Sequence, residues 1–278
     1  MSFRPKTPES LLWPGTKEPI FWLVTIHEYR IRCEGGGSEM DLSGFDGGRI
    51  VPQPEHSLRV VPTLPGFRFA KGDPEMTPKD ALKELHAGNK RFVAHLHNET
   101  PTDNHNRQHE LIINQKPIAI IVGCSDARVP PELIFDQGMG DLFVIRVAGN
   151  IITRAVLESI EFAALAFGPR LVVVLGHTCC GAVTATVNTL LDPTTNPDKM
   201  YPTVIKHVRP SAQAAIDAAD GESTEAIVDH TTCHNVHRSM ESIMTRSESM
   251  KQLMRDEGLM VVGAKYRIED GGVEFFDE

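Results

Sequence analysis

The chain has 278 residues, 41% hydrophobic and 23% charged, with a formal net charge of −9 at pH 7. That is the composition of a globular protein able to bury a sizeable core, and its acidic balance argues against a non-specific nucleic-acid binder, which needs a basic footprint. No apolar run reaches the length of a membrane span, and the Pro19–Ile26 patch soon meets His27, Glu28 and Arg30, unlike a secretory signal. Glu9, Glu18 and Glu28 count against a mitochondrial presequence, and five cysteines suit a reducing compartment better than a disulfide framework. The cytoplasm is the expected location.

Residues 1–75 carry Gly35-Gly36-Gly37, Gly47-Gly48 and many prolines with little periodicity. They read as an N-terminal arm, irregular or partly disordered, with one strand over Trp22–Arg32. Regular text starts at residue 76 and defines a second domain over 76–278. Thr77-Pro78 marks a helix start, and Leu82, Leu85, His86 and Phe92 continue a helical stripe to about His97. Strand 118–123 follows, then a loop at Cys124, a helical turn near Pro130-Pro131, strand 141–147 and helix 155–167, ended by Gly168-Pro169. Strand 171–176, helix 181–191 and a surface loop over 192–197 come next. Helices are predicted at 203–217 and 223–256, a fourth strand at 259–264 beyond Gly258, and an edge strand at 273–276 beyond Gly271-Gly272. Strands alternating with helices predict an α/β fold. Its sheet is mainly parallel, about four strands plus an antiparallel edge strand, flanked by helices.

Two motifs follow unbroken apolar, β-branched runs of the kind that form buried parallel strands. Gly123-Cys124-Ser125-Asp126-Ala127-Arg128 follows Ile118–Val122, and His177-Thr178-Cys179-Cys180-Gly181 follows Leu171–Leu175. Neighbouring strands would bring Cys124, His177 and Cys180 to the carboxyl edge of one sheet, where open α/β folds place their chemistry. Two thiolates and an imidazole prefer zinc, and three protein ligands leave a fourth position open. Asp126 is close enough to bind the metal or accept a proton beside it, and Arg128 offers a planar fork that can hold the carboxylate off the ion.

Rival readings are weaker. A cysteine phosphatase would want a cradle of backbone amides and a longer Cys-to-Arg spacing, and Asp126 would repel phosphate. A thiol oxidoreductase would separate its sulfurs by two residues, whereas Cys179 and Cys180 are vicinal, so Cys179 reads as a spectator. His230, Cys233, His234 and His237 share a helix face and could bind a second ion, but a polar helix face explains them as well.

These residues make the chain resemble the β-class carbonic anhydrases of bacteria and fungi, over roughly residues 76–276. The resemblance rests on Cys124–Arg128, Gly176–Gly181, the run Asp141–Asn150 and Leu85–Phe92. It implies one Zn2+ per chain held by Cys124, His177 and Cys180, with Asp126 and Arg128 as a dyad beside the open position. It further implies Gln115 reaching the substrate from a partner subunit, an apolar wall of Phe143, Ala148 and Phe162, and the Gly181 amide facing the substrate. Family members often have valine at 148 and tyrosine at 162, changes that touch pocket size and polarity. Ile121 replaces the tryptophan of members with an inhibitory bicarbonate site, and the arm before residue 75 matches nothing in the family. The implied activity is carbon dioxide hydration in a homodimer or larger homo-oligomer, with no nucleic acid and no membrane span. Hydrolysis of carbonyl sulfide or carbon disulfide on the same core, and a non-catalytic zinc protein, stay open alternatives.

Overall fold

The computed structural model describes residues 76–96, 111–112, 115–192, 194 and 201–276, and the backbone of 24–27, 30–33 and 39–41. The chain divides into two units, Met1–Pro62 and Thr63–Glu278. In the first, β1 (Val24–His27), β2 (Arg30–Cys33) and β3 (Glu39–Asp41) form an antiparallel sheet in that order. The single strand predicted over Trp22–Arg32 is thus two strands that pair back on each other, with His27 opposite Arg30. The rest of the predicted arm lies outside the described residues.

The second unit carries a five-stranded sheet of order β5-β4-β6-β7-β8. Its strands are β4 (Ala119–Gly123), β5 (Leu142–Arg146), β6 (Leu171–His177), β7 (Met260–Tyr266) and β8 (Val273–Phe276). The first four are mutually parallel and β8 runs antiparallel to β7, as the sequence predicts. β4 and β6 are buried at every position because helices cover both faces. Alternation along them splits the core. Ala119, Ile121, Val173 and Leu175 pack on one face, and Ile120, Val122, Val172 and Val174 on the other.

Helix α1 (Pro78–Val93) starts as predicted, with the Asp80 N–H donating to Thr77 Oγ1 at 3.1 Å. It stops short of His97 because the chain turns left-handed at His95, φ 57. After α2 (Pro131–Ile134) and a tight turn at Ala148–Asn150 come α3 (Arg154–Ala166), α4 (Gly181–Leu191) and α5 (Pro202–Ala218). The single helix predicted over 223–256 is in fact two, α6 (Thr224–Arg246) and α7 (Glu248–Asp256). Ser247 is extended (φ −122, ψ 119), and its Oγ accepts the Met250 N–H at 3.1 Å, so a serine cap starts a new helix there.

Candidate metal centre

Parallel register builds the site. Gly123, the last residue of β4, lies opposite Leu175 of β6, so Cys124 emerges beside the carboxyl end of β6 where His177 completes the strand. Cys180 sits directly before α4, close enough for its side chain to turn back toward Cys124. The ligand atoms of Cys124, His177 and Cys180 lie within 4.8 Å of one another, and all three residues are buried.

The two sulfurs are 4.0 Å apart. A disulfide would hold them near 2 Å, whereas two bonds of about 2.3 Å to one tetrahedral ion space them by about 3.8 Å. His177 Nδ1 lies 2.8 Å from the Thr178 carbonyl, a contact that makes Nδ1 the protonated nitrogen and leaves Nε2 a lone pair. Nε2 is buried with no hydrogen-bond partner. A buried imidazole nitrogen facing two thiols is a metal ligand's surroundings, and the donor set fits zinc. The pair shares its charge unequally. The Cys124 thiol is lowered to about 4, chiefly by the hydrogen bond from Cys180, with help from the neighbouring His177 ring and then the Gly149 N–H, while the Cys180 thiol is pushed up by holding that proton and by burial.

Asp126 stands beside the cluster but outside it, gripped by Arg128. Arg128 Nε donates to Oδ1 at 2.9 Å, Nη2 to Oδ2 at 2.8 Å, and its backbone N–H to Oδ1 at 3.0 Å. These bonds hold the Asp126 carboxyl well below the usual carboxylate range. Arg128 also reaches the Cys179 carbonyl at 3.2 Å, tying the two motif loops together.

Gly181, the first residue of α4 and next to Cys180, is exposed, with open space where a side chain would be. Ala148 lies next to Gly149, whose N–H donates to Cys124 Sγ at 3.4 Å. Gln115 is half-buried ahead of β4. Phe143 and Phe162 meet at 6.5 Å between ring centroids and share Phe167, but with the cluster of Ile120 and Val122, on the sheet face opposite the one holding Cys124 and Cys180.

The other metal-ligand candidates do not converge. His230 pairs with Glu222 at 3.3 Å and His237 stacks on Phe276 at 5.3 Å. Among the described residues no other group of three metal-ligating side chains comes together. Cys179 is exposed at φ 55 with its sulfur 3.7 Å from a Glu269 oxygen, a spectator to the cluster. Sequence reasoning missed Arg146, which donates to the Cys124 carbonyl at 2.8 Å and to the Asp126 carbonyl, and the Gly149 N–H. Both sit in the Asp141–Asn150 run, but no local pattern says that a strand-end arginine or a turn amide will face a neighbouring loop.

The family model described as carbonic anhydrase matches residues 119–273. Carbonic anhydrase 2 of Mycobacterium tuberculosis is 39% identical over 198 residues, covering 71% of this chain and 92% of that protein. The carbonic anhydrase of Mycolicibacterium smegmatis is 37% identical over 203 residues, covering 72% and 94%. Among solved structures, the β-carbonic anhydrase CcaA superposes with a TM-score of 0.57 at 25% identity, covering 70% of this chain and 95% of that one.

Proposed function

Because the chain belongs to the β-carbonic anhydrase family, we propose that it catalyses the reversible hydration of carbon dioxide to bicarbonate and a proton, with one zinc ion per chain held by Cys124, His177 and Cys180. The observation that carries this reading is the buried, unpartnered His177 Nε2 facing two sulfurs 4.0 Å apart. When bound, zinc supplies the Lewis acidity that makes water a nucleophile near neutral pH.

The chain's own residues do the rest. Asp126, kept ionised by Arg128, orients the attacking water and accepts its hydrogen bond. The Gly181 N–H, at the positive end of α4, and the Gln115 amide stabilise charge developing on the substrate oxygens. Phe143, Ala148 and Phe162 form an apolar wall suited to a small nonpolar molecule. Within one chain the two phenylalanines lie on the sheet face away from the sulfurs, and Phe162 remains 48% exposed. That supports a homodimer or larger homo-oligomer in which a second copy supplies the wall and Gln115. The catalytic unit is 76–278, and residues 1–75 are an arm that the chemistry does not need. No described helix is long and apolar enough to cross a membrane.

The test is turnover by purified, zinc-loaded protein on carbon dioxide and, side by side, on carbonyl sulfide. Fast carbon dioxide hydration supports the reading. Turnover of carbonyl sulfide alone reassigns the substrate, and turnover of neither leaves a non-catalytic zinc protein.

A further inference from the structure

The turn over Ala148–Asn150 puts two successive residues in left-handed conformation, Gly149 at φ 71 and Asn150 at φ 42. Glycine enters that region freely, and asparagine is one of the few other residues that tolerates it. Such a turn persists when its surroundings hold it. Here it is packed closely: a Cβ on Gly149 would meet Ala182 Cβ of α4 at 3.3 Å and Val208 Cγ2 of α5 at 3.4 Å.

Its two carbonyls are also held, both from α6. Asn235 Nδ2 donates to the Gly149 carbonyl at 2.8 Å, and Ser239 Oγ donates to the Asn150 carbonyl at 3.2 Å. The two residues are one helical turn apart, so they lie on one face of α6, and they are only 2% and 5% exposed. Away from water, neither bond has a solvent substitute. With both carbonyls fixed, the Gly149 N–H is held pointing at Cys124 Sγ. Two neighbouring amides are used locally, Val147 N–H on the Gly123 carbonyl at 3.1 Å and Asn150 N–H on the Val147 carbonyl at 2.9 Å.

We propose that Asn235 and Ser239 are positioning residues for the metal centre: through the Gly149–Asn150 turn they hold the Gly149 N–H on Cys124 Sγ, and so set how much charge that sulfur gives to a bound metal. The inference rests on the zinc reading above. Partners one layer beyond the ligands orient the ligands and tune the ion they hold. Losing the N–H lets the ligand sulfur shift from its place and makes it richer in electrons, which lowers the energy of charge transfer from sulfur to metal.

The experiment compares the full-length chain with Asn235→Leu, which keeps the side-chain shape but loses the donor, and with Ser239→Ala. Thr232→Val is the control. It removes an equally buried hydroxyl from α6 that bonds only the helix's own Val228 carbonyl, at 3.0 Å. Two readouts are taken, zinc affinity by competition with a chromophoric chelator, and the sulfur-to-cobalt absorption band of cobalt-substituted protein. Asn235→Leu should bind zinc about tenfold more weakly and Ser239→Ala about threefold more weakly, with the cobalt band moved to longer wavelength in both. Thr232→Val should lower only the melting temperature. If both variants match Thr232→Val in affinity and band position, the inference is overturned. Should Asn235→Leu fail to fold, Ser239→Ala decides alone, and an unmoved band overturns it. A wild-type chain that takes up no zinc removes the metal reading and this inference with it, whereas a wild type that binds zinc while the variants are unchanged sinks only the inference.

Discussion

The Cys124 and Cys180 sulfurs face each other at 4.0 Å across a sequence separation of 56 residues. Parallel pairing of β4 with β6 explains it, since Gly123 lies opposite Leu175 and both strands end at the same edge of the sheet.

Replacing Cys180 with serine should empty the site, because a hydroxyl is a far poorer zinc ligand than a thiolate. Elemental analysis of purified protein should give one zinc per chain for the wild type and almost none for Cys180→Ser. Two zincs per wild-type chain would point to a second site, which no other group of described side chains forms.

The thiol pair also predicts the proton count of metal binding. With the Cys124 thiol lowered to about 4 and that of Cys180 raised, the metal-free pair carries one proton between pH 7 and 8.5, and it is on Cys180. Zinc needs both sulfurs deprotonated, so it displaces that proton. With azide present to hold the fourth metal position in place of water, apparent zinc affinity should therefore rise about tenfold per pH unit in this window, the direction following from the raised Cys180 thiol. Calorimetry under the same conditions, in buffers of different ionisation heat, should find about one proton released per zinc. Release of two would mean that the sulfurs do not share a proton.

Arg128 occupies both oxygens of Asp126. Its removal should free the carboxylate to compete for the fourth metal position, so Arg128→Ala should bind zinc normally and turn over very slowly. Asp126→Ala should be impaired while its metal stays open to added anions. An azide titration of the two cobalt-substituted variants, followed by visible absorption, separates these effects. Azide should bind Asp126→Ala and be excluded from Arg128→Ala, and equal affinities would show that Asp126 never competes for the metal.

Asn89 joins α1 to two distant segments. Its Nδ2 donates to the Ile134 carbonyl at 3.1 Å and the Gly271 carbonyl at 2.9 Å, and its Oδ1 accepts the Val273 N–H at 2.9 Å. Asn89→Ala leaves these backbone groups without that partner in a mostly buried place, so it should lower unfolding stability by about 2–4 kcal/mol. Denaturant unfolding of the wild type and the variant measures it. A loss below about 0.5 kcal/mol would mean that water replaces the amide there.

Local pattern determined much of this protein. Unbroken β-branched runs need cover on both faces, so β4 and β6 were legible as central parallel strands, and the ligand motifs directly after them named Cys124, His177 and Cys180. Thr77 and Pro78 marked a helix start through bonds that reach only three residues. The break at Ser247 was equally local and was missed because continuous helical periodicity masked its cap. Tertiary structure decided what depends on distant neighbours. The helix face of His230 and His237 could have held an ion, but Glu222 and Phe276 engage those rings instead. Side-chain alternation on β5 put Phe143 on the sheet face away from the sulfurs. Asn235 and Ser239 read in sequence as two polar residues on a helix. Only the path of α6 past the Gly149–Asn150 turn makes them hydrogen-bond donors to it, because a contact across more than eighty residues is set by how the layers pack and not by spacing along the chain.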